Sequence, residues 1–405
     1  MSFLRKSDAV FVRGLFKRYY HERAGELFIP ERLPEREFGY FPFGEKIMIR
    51  HLSFSSPEEL KELVSQKVPL HIYHSAAFYK YPRAPMEEKG WIGAELIFDI
   101  DADHLKTPCK KDHDFKICKN CLLEYPVESD RCAKCGGPLE KVEWVCEKCL
   151  ESAREEARKL LDILERDFGF EKIHMAFSGN RGYHIVVKDK QVLDLDQSER
   201  KEIVDYITGT GLDAKFLGLE RRKINLDYVP DLGDPGWRGR IARSTLEILM
   251  TFDAEKLYEL TDDEKAYQVM EELESVRETW SEKLPWNLIK PSTRRFLVEA
   301  AKEYAASHVD VVVTQDIHRL LRLGNSLNGK TGLMAKVFEP DDLDDFDPTT
   351  DPVALPMDEE IHVKIIRSHE LQLAGFELPP IKKKIVKLPL AAAALLLCRG
   401  VATLP

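Results

Sequence analysis

The chain is short of several features that would classify it at once. No apolar run approaches the roughly 20 residues needed to cross a bilayer. The longest, Leu388 to Cys398, contains Pro389 and reads as a short buried helix, so no membrane partner is expected. The stretch from Met1 to Tyr20 is rich in Arg and Lys but lacks the continuous apolar segment of a secretory signal, and export is not expected. There is no internal repeat and no low-complexity tract. A composition of 43% hydrophobic and 32% charged residues excludes fibrous and disordered classes and describes a globular protein. A basic surplus is missing too, with a net charge of −10 where phosphate contacts would need Lys and Arg. One segment explains this: ten Asp or Glu and no Lys or Arg lie between Glu339 and Glu360. The rest of the chain is neutral and free to carry a local basic groove, while the acidic stretch reads as a solvated loop.

Cysteine is nearly confined to one region. Seven of the eight fall between Cys109 and Cys149, mostly as Cys-x-x-Cys pairs, which reads as metal ligation in a reducing cytoplasm and not as a disulfide framework. Cys118-x-x-Cys121, ten residues, then Cys132-x-x-Cys135 has the spacing of a zinc ribbon. Cys109, His113, Cys146 and Cys149 are left as a second, flanking set of four, so two structural zinc ions are expected. A competing pairing puts Cys109, His113, Cys118 and Cys121 in one site and the last four of this group in the other. Cys398 stands apart and reads as a buried apolar residue.

At 405 residues the chain should form more than one structural unit. From Leu27 to Asp103 short β-like runs, such as Lys46 to Arg50 and Leu70 to Tyr73, alternate with Pro and Gly turns. After the cysteine segment, Ser152-Ala-Arg-Glu155 has the form of a capping box, and apolar residues follow at helical spacing from Ala153 to Phe168, before Gly169. Lys172 to Phe177 and Tyr183 to Val187 read as two strands joined by a glycine-containing loop. Glu247 to His308 is largely helical in pattern, broken by Pro285 and Pro291, and Val309 to Val313 is β-like. The expected fold class is α+β with a mixed sheet and insertions.

Two motifs carry chemistry. In Glu95-Leu-Ile-Phe-Asp-Ile-Asp101, the strand period of two puts Asp99 and Asp101 on one face, side by side. Like charges so close repel unless a cation lies between them. Mg²⁺ or Mn²⁺ fits that role, since such ions use one or two carboxylates with substrate phosphates and in pairs support in-line displacement at phosphorus. Asp103 continues the alternation where the strand should be ending and is left out of the metal set. Ser178-Gly-Asn-Arg-Gly-Tyr-His184 brackets a guanidinium with glycines, so that backbone amides and a planar fork can approach phosphate oxygens. Both have plainer readings, as an exposed strand face and an ordinary hairpin turn. A third segment, Arg322 to Gly332, contains the Gly-Lys-Thr of a P-loop but follows a helix-like turn and not a strand, so an ATPase is not expected.

Taken in order, Arg36-Glu-Phe38, Asp99-Ile-Asp101, Ser178-Gly-x-Arg-Gly-x-His184, Asp310 followed by His318-Arg-Leu-Leu-Arg322, Ser326-Leu-x-Gly-Lys-Thr-Gly332 and Ala394 to Gly400 resemble the archaeal/eukaryotic primase small-subunit family over nearly the whole chain. The resemblance implies a template-directed nucleotidyl transferase that starts short primers from nucleoside triphosphates on single-stranded DNA. It would act with a large subunit as partner. It implies Asp310, on a strand before a His-Arg-Leu-Leu-Arg helix, as third carboxylate beside Asp99 and Asp101. Ser178, Arg181, His184, Arg322 and Lys330 would hold the triphosphate, with Glu37 and Arg50 nearby. A Cys-His-Cys-Cys knuckle agrees with the family, and the inserted ribbon is the unusual part. Residues 1–108, 150–246 and 309–340 would form the catalytic core, interrupted by the zinc insertion at 109–149 and a helical subdomain at 247–308, with 341–405 as acidic loop and C-terminal tail or helix. The family usually has His where this chain has Asn328. Two other readings are a non-catalytic zinc-ribbon nucleic-acid binder and a repair or plasmid primase-polymerase.

Overall fold

The computed structural model describes residues 5–105, 107, 109–118, 120–277 and 284–405. They form two units: Met1–Ala157 with Lys172–Arg200 and Val309–Pro405, and Arg158–Glu171 with Lys201–His308.

The first unit is built on two four-stranded antiparallel sheets. One runs in the order Leu320–Arg322, His71–Ser75, Phe38–Phe41, Ile49–Leu52, and the other Val337–Phe338, Ile173–Phe177, Gly182–Val187, Leu96–Asp101. Alternation along Leu96–Asp101 explains its place: Leu96, Phe98 and Ile100 are fully buried, while Asp99 and Asp101 stay half-buried on the opposite face. Arg36 anchors the two sheets to one another by a buried fork onto Glu95, at 2.6 and 3.0 Å, and a bond to the Ser75 carbonyl. Helix Lys6–Arg23 buries Phe16, Tyr19 and Tyr20. The apolar run near the end is a helix, Leu390–Cys398, that starts after Pro389 and is buried at all nine positions.

Several elements differ from the sequence reading. The helix expected from Ser152 starts at Glu147, and Ser152 Oγ donates to the Lys148 carbonyl inside it, so the apparent capping box caps nothing. The β-like Val309 to Val313 is not a strand: Asp310 accepts from the amides of Val312 and Val313 and caps the short helix Val311–Gln315. The residues read as a His-Arg-Leu-Leu-Arg helix instead include the strand Leu320–Arg322. The acidic stretch is more than solvated loop. Leu343, Phe346 and Leu355 are buried in it, and Phe346 stacks on Phe338 with ring centroids 4.5 Å apart. Beyond it lies a ribbon, Glu360–Ser368 paired with Ile381–Pro389, whose alternation of buried Val363 and Ile365 with exposed Lys364 the tail reading passed over.

The second unit takes in parts of helices Glu147–Arg166 and Gln197–Ile207, and its long helical run starts at Gly236, earlier than Glu247. Helix Gly236–Thr251 packs on Pro291–Ala305, with Ala254–Thr261 and Lys265–Arg277 beside them. Ala242, Ala300 and Ala301 let helix axes approach closely, and Trp286 fills the centre with its Nε1 donating to the Pro230 carbonyl. No helix among the described residues is long and apolar enough to cross a membrane.

Candidate active site

Strand Gly182–Val187 pairs with Leu96–Asp101 so that Gly182 lies opposite Asp101 and His184 opposite Asp99. Both chemical motifs therefore meet on one ladder. The pairing demands glycine at 182, because a Cβ there would sit 1.9 Å from the Ile100 carbonyl oxygen. Gly179 turns the preceding loop at φ +74°. Ser178 Oγ accepts from the amides of Asn180 and Gly182, which shapes the loop into a tight turn.

A polar pocket of about 150 Å³ opens here. Asp99, Asp101, Ser178 and His184 face Arg319, Arg322, Asn328 and Lys330 across it. Acidic groups thus come from one sheet, and cations from the other sheet's edge strand and the residues flanking it. Burial raises the Asp99 carboxyl above its ordinary range; neighbouring Asp101 and Asp310 push the same way and His184 opposes them. Burial likewise lowers the His184 imidazole, whose Nε2 lies 3.5 Å from Asp99 Oδ1. A divalent cation would relieve the first of these penalties.

Arg322 is held in place by residues the sequence reading did not single out. Its Nη1 donates to His71 Nδ1 at 2.7 Å, and it lies over the Tyr73 ring. Burial, with Arg322 and Lys330 adding their charge, pushes the His71 imidazole well below its ordinary range, so it serves as a neutral acceptor. The alternation His71-Ile-Tyr73 was the available signal, since period two puts both on one face.

Other expected residues sit elsewhere. The Arg181 guanidinium is engaged by three carboxylates, Asp101 at 2.7 Å, Asp103 at 3.1 Å and Glu143 at 2.8 Å, and does not line the pocket. Glu37 is fully buried. Although burial alone would raise its pKa, hydrogen bonds from Arg50 and the nearby Lys89 charge hold it below the usual carboxylate range. Neither Glu37 nor Arg50 lines the pocket; Arg50's strand is at the far edge of its sheet, three strand spacings or about 14 Å from that of Arg322. Asp310 is joined to Asp99 through its amide, which donates to the Asp99 carbonyl at 3.0 Å. The three aspartates are not drawn into one tight cluster. Mutual repulsion is answered locally, by Arg181 at Asp101 and by helix amides at Asp310. Asn328 bonds through Nδ2 to the Ser178 carbonyl and through Oδ1 to the Lys330 amide, stitching the two loops of the pocket together.

The thiols sort into two groups, Cys109, His113, Cys146 with Cys149, and Cys118, Cys121, Cys132 with Cys135, the ligand atoms of each lying within 4.8 Å of one another. The competing pairing is excluded by strand register. Phe115–Cys118 pairs with Leu139–Val142, so Cys118 meets Leu139 at one end of the hairpin, near both Cys-x-x-Cys turns, and Phe115 meets Val142 at the other, near His113 and Cys146. Contacts of 3.3 to 3.7 Å within the groups match the roughly 3.8 Å edges of a tetrahedron with 2.3 Å arms. His113 Nδ1 faces Asp114 at 3.0 Å, which orients its other nitrogen towards Cys149. Both donor sets fit zinc.

A family model described as DNA primase small subunit matches residues 136–340. The DNA primase small subunit of Nitrosopumilus maritimus is 33% identical over 404 residues, covering 99% of this chain and 100% of that protein. Its counterpart in Methanothrix thermoacetophila is 35% identical, covering 98% and 99%. That of Archaeoglobus fulgidus is 33% identical, covering 96% and 97%.

Proposed function

The chain belongs to the DNA primase small-subunit family, and from that premise we propose how its residues carry out primer synthesis. It is a nucleotidyltransferase of DNA replication. The proposed reaction joins nucleoside triphosphates on a single-stranded DNA template, with release of pyrophosphate. Asp99, Asp101 and Asp310 would hold two Mg²⁺ or Mn²⁺ ions. When bound, these supply charge for activating a 3′-hydroxyl and for neutralising the leaving pyrophosphate.

The observation that carries the reading is the ladder that sets Asp101 against Gly182 and Asp99 against His184, facing Arg319, Arg322 and Lys330 across one pocket. An anionic triphosphate with its cations is complementary to such an arrangement. Arg322 and Lys330 would grip the phosphates, with Ser178 and the loop amides alongside. Arg181 takes a different part. Its bond to Asp101 orients that carboxylate, and although burial works against its charge, the three surrounding acids hold the guanidinium above its ordinary range and charged. Two structural zinc ions in the sulfur clusters, and a large subunit as partner, complete the proposal.

Incubating the chain with single-stranded template, nucleoside triphosphates and Mg²⁺ or Mn²⁺, with and without a large subunit, tests it. Asp99→Ala and Asp101→Ala should each reduce primer synthesis by about a thousandfold while template affinity persists. Synthesis undiminished in both variants would refute the assignment. Extension of supplied primers without any initiation would move the protein to a repair role.

A further inference from the structure

Helix Leu390–Cys398 delivers Arg399 into the interior of the first unit, where it is only 9% exposed. Among the described residues its guanidinium has no hydrogen bond and no ion pair. It rests over the Trp144 ring, 5.1 Å from the centroid, and its fully shielded Nη1 has no partner. A buried cation without a counter-ion is strongly disfavoured, so such a group marks a place that an anion should fill. Arg181 adds a charge of the same sign: burial first, then Arg181, draws Arg399 down to about 10.

Arg399 lines a cavity of about 450 Å³ between the zinc knuckle and the C-terminal strands. Trp144 and His369 line it too, while their Nε1 and Nε2 are shielded and lack partners. Leu333, Leu371, Leu373 and Leu395 supply apolar walls. Asp112, Glu147 and Glu370 are exposed where they border it, and none pairs with Arg399. One unpaired guanidinium and an apolar wall are what a small ligand with an anionic end and a flat body would need.

We propose that this cavity binds a nucleoside monophosphate group, its phosphate on Arg399 and its base against the leucine wall. That the anion is a nucleotide, and not a partner protein's carboxylate, rests on the reading of the catalytic pocket, because Asn180 lines both cavities and the loop it belongs to separates them. The anion requirement itself rests on Arg399 alone.

Equilibrium dialysis and thermal unfolding of the full-length, zinc-loaded chain with AMP test the proposal. Arg322→Met, which weakens the catalytic pocket, should leave a site for AMP. Arg399→Met, which keeps the packing on Trp144 but removes the charge, should weaken that site at least tenfold. Leu373→Trp, which fills the cavity and leaves Arg399 intact, should do the same. In anion-free buffer Arg399→Met should also unfold at a higher temperature than the wild type, and AMP at ten times its Kd should raise the wild-type midpoint by about 2 °C. Loss of all AMP binding in Arg322→Met would overturn the proposal, while the primer-synthesis reading, tested separately on the wild-type chain and the aspartate variants, would stand. A lowered midpoint for Arg399→Met in anion-free buffer would overturn it as well. Equal stabilisation by inorganic phosphate would overturn the nucleotide assignment.

Discussion

At the scale of single residues, charge partners decide what each side chain does. Arg181 sits in a glycine-bracketed loop of the kind that suits phosphate, yet Asp101, Asp103 and Glu143 use its donors, and it orients Asp101, a proposed metal ligand, instead. Glu143 lies just after the strand Leu139–Val142 of the zinc module, so the module reaches Asp101 through one guanidinium. Glu143→Gln should therefore lower primer synthesis by roughly tenfold, by loosening a partly buried charge-assisted bond, and should raise the Mg²⁺ concentration needed for half-maximal rate. Metal titration of the variant checks this; an unchanged Mg²⁺ requirement would show that Asp101 keeps its orientation without Glu143. Asn328 illustrates the same rule. The departure from the family's His reads in sequence as a lost phosphate contact, whereas its amide bonds to the Ser178 carbonyl and secures the loop.

At the scale of elements, the hairpin Ile173–Phe177 and Gly182–Val187 was legible from its alternation and glycines, and so was the carboxylate strand. Elements whose ends depend on capping were not. Asp310 looks like one more residue of a β-like run until its side chain accepts two amides and turns the chain into a helix. Gly182 makes a hard test of the ladder. Gly182→Ala places a Cβ against the Ile100 carbonyl, a backbone atom that cannot swing aside, and should cost about 3 kcal/mol or more, seen as a loss of soluble folded protein or a lowered midpoint in urea. For the cysteine hairpin, elemental analysis should find two zinc ions per chain. Chelation should unfold the segment from Cys109 to Cys149, read by proteolysis, because ligand binding and folding of so small a module are one event.

At the scale of the whole molecule, acid stability should be governed in part by buried neutral histidine. Burial pushes His74 down to about 3, with Arg36 adding to the effect. The unfolded chain takes up this proton near its ordinary 6.5 and the folded chain does not, so stability is full above 6.5 and falls as the pH drops towards 3. The slope approaches about 1.4 kcal/mol per pH unit for this one group. Urea unfolding at pH 7 and pH 5 should show the decline, and His74→Gln should flatten it. The two units answer differently to the sequence. The helical one is recognisable by its 3.6-residue period, although helix Gly236–Thr251, which opens its long helical run, begins eleven residues before the pattern becomes clear, where Gly236 and Gly239 dilute the apolar signal.

By itself the sequence determined the chemistry on offer: an Asp-x-Asp on a strand, a glycine-bracketed arginine loop, two sets of zinc ligands, and the order of motifs that marks the family. Those properties are local, set by residue type and spacing along the chain. Tertiary structure decided which groups use one another. It paired Asp99 with His184, spent Arg181 on carboxylates, recruited His71 and Tyr73 to hold Arg322, and left Arg399 buried without a counter-ion. The reason is that burial and charge pairing depend on distances between residues far apart in the chain, which strand register creates and spacing along the sequence does not encode.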